Sequence, residues 1–170
     1  MDAASQLRDA QYQVMKNILY TGMAVTIDVG EMRDQHFTRK KEVGERLALI
    51  ALAKDYGYKK INFKGPEIKN GFTKKDKVII EFESSFSDLN VDGDTLKGFE
   101  IGYHSSPGDS IVFVNAQAKL KGNKVIIWND KVMEPVEVRY AWLLAGEANL
   151  FNKEGLPAFP FRKKINKLPK

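Results

Sequence analysis

The hydrophobic pattern of the chain begins with helical spacing and changes to strand-like alternation near residue 58. Leu7, Ala10, Val14 and Ile18 recur at helical spacing, with Asp2 or Ser5 placed to cap the helix and Arg8, Asp9 and Lys16 left for water. After Thr21 and Gly22, the run 23–29 is β-rich and largely apolar, which suits a strand buried on both faces of a parallel sheet. Residues 30–37 read as a polar loop. Thr38 then caps a second helix that carries Val43, Leu47, Ile50, Ala51 and Lys54 along one side and stops at Gly57. Helix, strand, loop and helix make a piece of an α/β layer, because a single parallel strand has no partner within this segment.

From Lys59 onward the apolar runs shorten, at 61–63, 77–82, 99–103, 111–120, 125–128 and 136–142, with turn residues between them. Gly122 and Asn123 both tolerate positive φ and mark a hairpin. These runs predict a β-sandwich or jelly-roll-like module. The stretch 149–170, rich in Pro, Gly and Lys, is expected to wrap the surface without forming an element. The expected fold is therefore α+β: an α/β piece at 1–58, an antiparallel β-sandwich at 59–145 and an extended tail at 146–170.

Composition narrows the function classes. A chain of 170 residues with 43% hydrophobic and 29% charged positions can bury a real core and shows no sign of disorder. With no cysteine, it has no disulfide, no Cys-ligated zinc and no thiol catalysis. The net charge of +5 is thinly spread, and its densest stretch, Arg162, Lys163, Lys164, Lys167 and Lys170, reads as a solvated terminus, so no nucleic-acid partner is expected. No apolar run approaches membrane-spanning length, and no membrane partner is expected. An export signal, if the natural protein has one, would lie upstream of Met1.

One loop concentrates groups suited to chemistry. Asp34 and His36 follow the apolar run ending at Val29, with Asp28 and Glu31 adding carboxylates nearby. A hydrolytic His needs a carboxylate that fixes its tautomer and stabilises the imidazolium, and such pairs converge on loops at the C-terminal edge of parallel strands. Taken alone, Asp-x-His in a loop is a weak signal and more often the mark of an ordinary surface.

Several separate motifs, in order, resemble one family. They are Arg8-Asp9-Ala10-Gln11; Gly22-Met23-Ala24-Val25-Thr26-Ile27-Asp28-Val29-Gly30-Glu31; Asp34-Gln35-His36 with Lys40; and Val43-Gly44-Glu45-Arg46-Leu47-Ala48-Leu49. Further on come Leu96-Lys97-Gly98-Phe99-Glu100-Ile101, Pro135-Val136-Glu137-Val138-Arg139-Tyr140-Ala141-Trp142, Asn149-Leu150-Phe151-Asn152, and the block 155–162. Together they resemble the C-terminal part of sialate O-acetylesterases, carbohydrate esterases of the SGNH hydrolase superfamily. The resemblance implies that 1–58 is the remnant of an SGNH-type, flavodoxin-like catalytic layer. It also implies that His36 acts as general base, with Asp34 as its orienting acid.

The reaction implied is removal of acetyl groups from an acetylated sugar or glycan through an acyl-enzyme, without a cofactor or metal. A periplasmic or secreted location is implied in the same way. Two departures stand out. Phe37 follows the His where the family has Pro, and the chain holds no Gly-Gln-Ser block. The nucleophilic serine and oxyanion donors are therefore expected from an upstream catalytic segment, and the chain alone is expected to be inactive, with apolar faces that favour self-association.

Other signals carry less. Gly108-Asp109-Ser110-Ile111 spells a lipase-like motif, but a β-like run follows Ser110 and the order relative to Asp34 and His36 is reversed, so a sandwich turn is the plainer reading. Asp88-Leu89-Asn90-Val91-Asp92-Gly93 opens like a calcium loop, yet Phe99 stands where the closing Glu belongs. His104, the second of two histidines, is too far along the chain from His36 to suggest zinc. The alternative function is a non-catalytic carbohydrate-binding or interaction module built on the sandwich.

Overall fold

The computed structural model describes residues 3–31, 34, 36–83, 88–142 and 148–167. Asp2, expected as a helix cap, and Lys170 of the basic tail lie outside the described residues. Two helices, α1 (Ala3–Asn17) and α2 (Lys40–Lys54), precede a β-rich body. Its strands are β1 (Ile68–Lys74), β2 (Lys77–Phe82), β3 (Leu89–Val91), β4 (Phe99–His104), β5 (Ile111–Asn115) and β6 (Gln117–Lys121), followed by β7 (Lys124–Trp128), β8 (Glu137–Tyr140), β9 (Leu150–Asn152), β10 (Phe161–Lys164) and β11 (Asn166–Lys167). They form a five-stranded sheet in the order β11-β1-β2-β7-β6, a four-stranded sheet in the order β10-β8-β4-β5, and the pair β3-β9. The fold is α+β, mostly β, and compatible with a β-sandwich.

Alternation explains the core. Val78, Ile80 and Phe82 of β2 and Val125 and Ile127 of β7 are buried on the five-stranded sheet, while Phe99, Ile101, Val138, Tyr140 and Phe161 are buried on the other. Residues two apart share a face, so the two apolar faces close over one another. Aromatic rings link the sheets: Phe161 lies 6.2 Å from Phe82 on one and 5.9 Å from Tyr140 on the other. Tyr140 also packs 4.6 Å from Phe99 and accepts the backbone N–H of Leu150 at 2.9 Å. Burial pushes its hydroxyl well above the ordinary phenol range. Gly122 turns the β6-β7 hairpin at φ +60°, as its sequence requires.

Five expectations need correcting. The run 23–29 joins no ladder, because the chain offers it no neighbouring strand among the described residues. The run 61–63 is likewise irregular, whereas 111–120 divides into β5 and β6. The stretch expected to wrap the surface supplies β9, β10 and β11, since Leu150, Leu156, Ala158, Phe159 and Phe161 are buried and hold it in the body.

The fifth concerns α1, whose apolar stripe does not face the body. Leu7, Val14 and Ile18 are 61%, 51% and 57% exposed, while Ser5, Arg8, Tyr12 and Lys16 make the docking contacts. Ser5 does not cap the helix. Its hydroxyl donates to the carbonyl of Trp142, and Arg8 donates to that of Ala141 at 3.1 Å. Tyr12 packs its ring 5.4 Å from Phe159 and donates to Glu67 at 2.5 Å.

Glu67 is the centre of that docking. Its side chain is 2% exposed and accepts from Lys16, from Lys64 at 2.8 Å and from Tyr12. Burial pushes the carboxyl up, and the bonds from Lys16, Lys64 and Tyr12 outweigh it, leaving Glu67 at about 2. Because the folded value lies below the ordinary 4.5, the stability Glu67 supplies is present above that value and is lost as pH falls toward 2. We expect urea stability to drop by about 3 kcal/mol across that window, and Glu67→Gln to flatten the dependence. An unchanged pH profile in the variant would show that other carboxylates carry the acid transition.

Tyr140→Phe keeps the ring and removes the oxygen that receives the Leu150 N–H. Leaving that buried donor unmatched is expected to cost about 1–3 kcal/mol, read as a lower urea midpoint at constant slope.

Candidate active site

The loop after the unpaired run is built on one buried ion pair. Arg46, on the inner side of α2, donates to both oxygens of Asp28 at 2.7 and 2.6 Å and to the carbonyl of Val25 at 2.5 Å. The two side chains are only 8% and 14% exposed. The sequence pattern had placed Leu47 on the packed side of α2, yet Leu47 is exposed and its neighbour Arg46 is buried, because the surface it meets presents a carbonyl and a carboxylate. Bidentate Arg–carboxylate geometry fixes orientation as well as distance. The chain then turns, with Val29 and Gly30 donating to Thr26 at 3.3 and 3.1 Å, and Arg39 donating to the Asp28 carbonyl at 3.2 Å.

Glu31 closes the far side of the loop. Its carboxylate accepts the backbone N–H of Thr38 at 3.0 Å and the Thr38 hydroxyl at 2.9 Å, and these bonds hold its carboxyl below the usual range. Thr38 therefore does not cap α2 with its side chain; Arg39 occupies the cap position and makes no side-chain cap bond. Glu31 and Asp34 face each other across an antiparallel bridge.

Asp34 and His36 are brought together on this frame through the main chain. Asp34 Oδ1 accepts the backbone N–H of His36 at 2.7 Å, and both residues are exposed. Among the described residues the His36 imidazole makes no hydrogen bond, and Asp34 Oδ2 accepts none. Gln35, between them, lies outside the described residues. Both ring nitrogens are thus open to solvent-side partners, and one Asp34 oxygen remains to receive a ring N–H.

The other sequence signals lie elsewhere. Ser110 sits at the end of the β4-β5 turn, where His104 Nδ1 lies 2.6 Å from the carbonyl of Asp109 and Ser105 donates to the Asp109 carboxylate at 2.8 Å. Those bonds shape a hairpin and place no base on Ser110. In the calcium-like stretch, Leu89 to Val91 form β3 and Asp88 accepts from Lys153 at 2.5 Å. No group of three or more His, Asp or Glu able to hold a metal occurs among the described residues.

No family model matches the chain, and no curated protein does. Among solved structures, a carbohydrate acetylesterase from Xanthomonas citri superposes with a TM-score of 0.86 at 34% identity, over 96% of this chain. The chain is related to a carbohydrate esterase. It spans 37% of the length of that enzyme.

Sequence reasoning marked Asp28 and Glu31 as nearby carboxylates but did not assign Arg46 a place. A charged residue on the inner side of a helix has no local signature when its partner stands 18 positions away. Removing that partner leaves a buried guanidinium with a single carbonyl. Asp28→Ala is expected to lower stability by about 3 kcal/mol and to loosen the 28–38 loop, read by urea unfolding and amide exchange.

Proposed function

We propose that this chain is the C-terminal portion of a sialate-type carbohydrate O-acetylesterase, and that it supplies His36 and Asp34 to a serine carried on polypeptide outside it. The likeness to the Xanthomonas citri acetylesterase carries the reading, because it spans nearly the whole of this chain at 34% identity. The site is compatible with the role. His36 is exposed on a loop whose base is clamped by Arg46, which limits where the imidazole can go.

In this reading His36 takes the serine proton as the serine oxygen attacks the acetyl carbonyl. It gives that proton to the departing sugar oxygen, forming the sugar hydroxyl as the C–O bond breaks, and then activates the water that releases acetate. Asp34, already bonded to the His36 backbone, receives the ring N–H with its second oxygen and stabilises the imidazolium. The substrate class is an acetylated sugar or glycan. Without the serine there is no covalent route, so the isolated chain is expected to hydrolyse acetyl esters at the background rate.

The test joins the chain to the portion of the Xanthomonas citri enzyme that it does not span and follows acetate release from O-acetylated sialic acid and from acetylated xylose. Hydrolysis by the joined protein, falling by about 10³-fold or more in His36→Ala, is the expected outcome. Equal activity with and without His36 would sink the assignment, as would full activity of the isolated chain. Saturable glycan binding by the isolated chain, unchanged in His36→Ala and without hydrolysis in either form, would favour a sugar-binding sandwich.

A further inference from the structure

The Arg46–Asp28 clamp alone does not place the His36 ring. His36 stands eight positions beyond Asp28, and an extended chain spans about 3.3 Å per residue, so further ties decide where the imidazole goes. The described residues supply them as a series of contacts that starts at α2. The Lys40 N–H donates to the Thr38 carbonyl at 2.8 Å, and Arg39, between them, donates to the Asp28 carbonyl at 3.2 Å, so Thr38 is a fixed post at the start of the helix. Glu31 is tied to this post twice, because one oxygen, Oε1, accepts both the Thr38 N–H at 3.0 Å and the Thr38 hydroxyl at 2.9 Å. These bonds hold the carboxyl below the usual range, so the acceptor is charged at neutral pH and the bonds are charge-assisted. The main chain of Glu31 bridges to Asp34, and the Asp34 carboxylate accepts the His36 N–H at 2.7 Å.

We propose that Glu31 is a positioning residue for the esterase reaction: tied through Thr38 to α2, it holds Asp34 and the His36 main chain in one place. The inference rests on the reading of His36 as general base and adds to it a residue that acts through others. Phe37 shows why such a tie is needed. It sits between His36 and Thr38, its φ is not fixed as that of a proline is, and its N–H donates no hydrogen bond among the described residues. Rotation there swings His36 relative to the helix, and Glu31 removes that freedom by joining Thr38 on one side to Asp34 on the other. Glu31 and Thr38 are both exposed, so their contact adds little to global stability. Its effect is local order.

Order at His36 is read first in the chain as it stands, by backbone 15N relaxation. The His36 amide is expected to give an order parameter of about 0.85, to fall below about 0.6 in Glu31→Ala, and to stay high in Glu31→Gln, which keeps an oxygen to receive Thr38. Phe37→Pro added to Glu31→Ala should restore order by fixing φ from within the chain. The urea midpoint should be the same in the unaltered chain, Glu31→Ala and Glu31→Gln. In the joined protein described above, Glu31→Ala should lower kcat for acetate release by about 10–100-fold with KM within about twofold, and both Glu31→Gln and the added Phe37→Pro should recover most of that loss.

Unchanged order at His36 in Glu31→Ala overturns the proposal. So does an active joined protein in which Glu31→Ala leaves kcat where it was or raises KM alone, and so does a double variant that stays as mobile and as slow as Glu31→Ala. Where the joined protein releases no acetate, order in the chain decides: its loss in Glu31→Ala and its return with Phe37→Pro support the tie, and the esterase reading falls on its own account.

Discussion

A carboxylate with 2% of its side chain exposed cannot remain charged between a helix and a β-body unless donors surround it, and Glu67 is held in this state by Lys16, Lys64 and Tyr12. The first and third of these reside on α1, and Lys64 on the connection entering β1, so one buried anion gathers the helical layer, the linker and the sheets. The other ties of α1 are polar as well, from Ser5 to the Trp142 carbonyl and from Arg8 to that of Ala141. Such docking specifies register well. It buries little apolar surface, and that is why the hydrophobic stripe of α1 remains turned away from the body.

The same logic recurs at α2. Its inner side meets main-chain carbonyls and Asp28, and a guanidinium is the side chain that can answer both at once. Arg46 thereby anchors an apolar run that no ladder holds, and it fixes the origin of the loop bearing Asp34 and His36. Rigidity is concentrated at the base of that loop and at the Glu31–Thr38 contact that closes it, while the imidazole between them is open. The β-body behaves differently. Its core is apolar and aromatic, with Phe82, Phe99, Tyr140 and Phe161 in contact across the two sheets, so it supplies the bulk of the burial and a stiff platform for the polar layer.

Much of the β-body was legible in the sequence because alternation there is local. The run 77–82 coincides with β2, the Gly122 hairpin joins β6 to β7, and the runs at 99 and 125 fall on β4 and β7. The strands near the end of the chain were missed because they are short and Pro, Gly and Lys punctuate the stretch that holds them, while their placement depends on Leu150, Ala158 and Phe161 reaching a core assembled from distant strands. The helices were legible as helices, but not the side on which they pack. Periodicity identifies an apolar stripe and is silent on whether its partner lies in the same chain. For the site, the loop and its carboxylates could be read, and the bond from the His36 backbone to Asp34 is local turn chemistry, whereas the Asp28–Arg46 pair depends on three-dimensional closure.

Two sets of unpaired groups stand near each other in the chain among the described residues: backbone groups of 22–27 without a ladder, and a His36 ring without a hydrogen bond. They differ in chemistry, one asking for a strand and the other for a proton donor and acceptor. Between them, Asp28 is held by Arg46 and Glu31 by Thr38. A binding event that merely covered apolar surface would leave the ring idle, and a ligand that engaged only the ring would leave the backbone hydrated. In the esterase reading proposed above, a sheet that carries a hydroxyl nucleophile at its edge would meet both demands with one set of contacts.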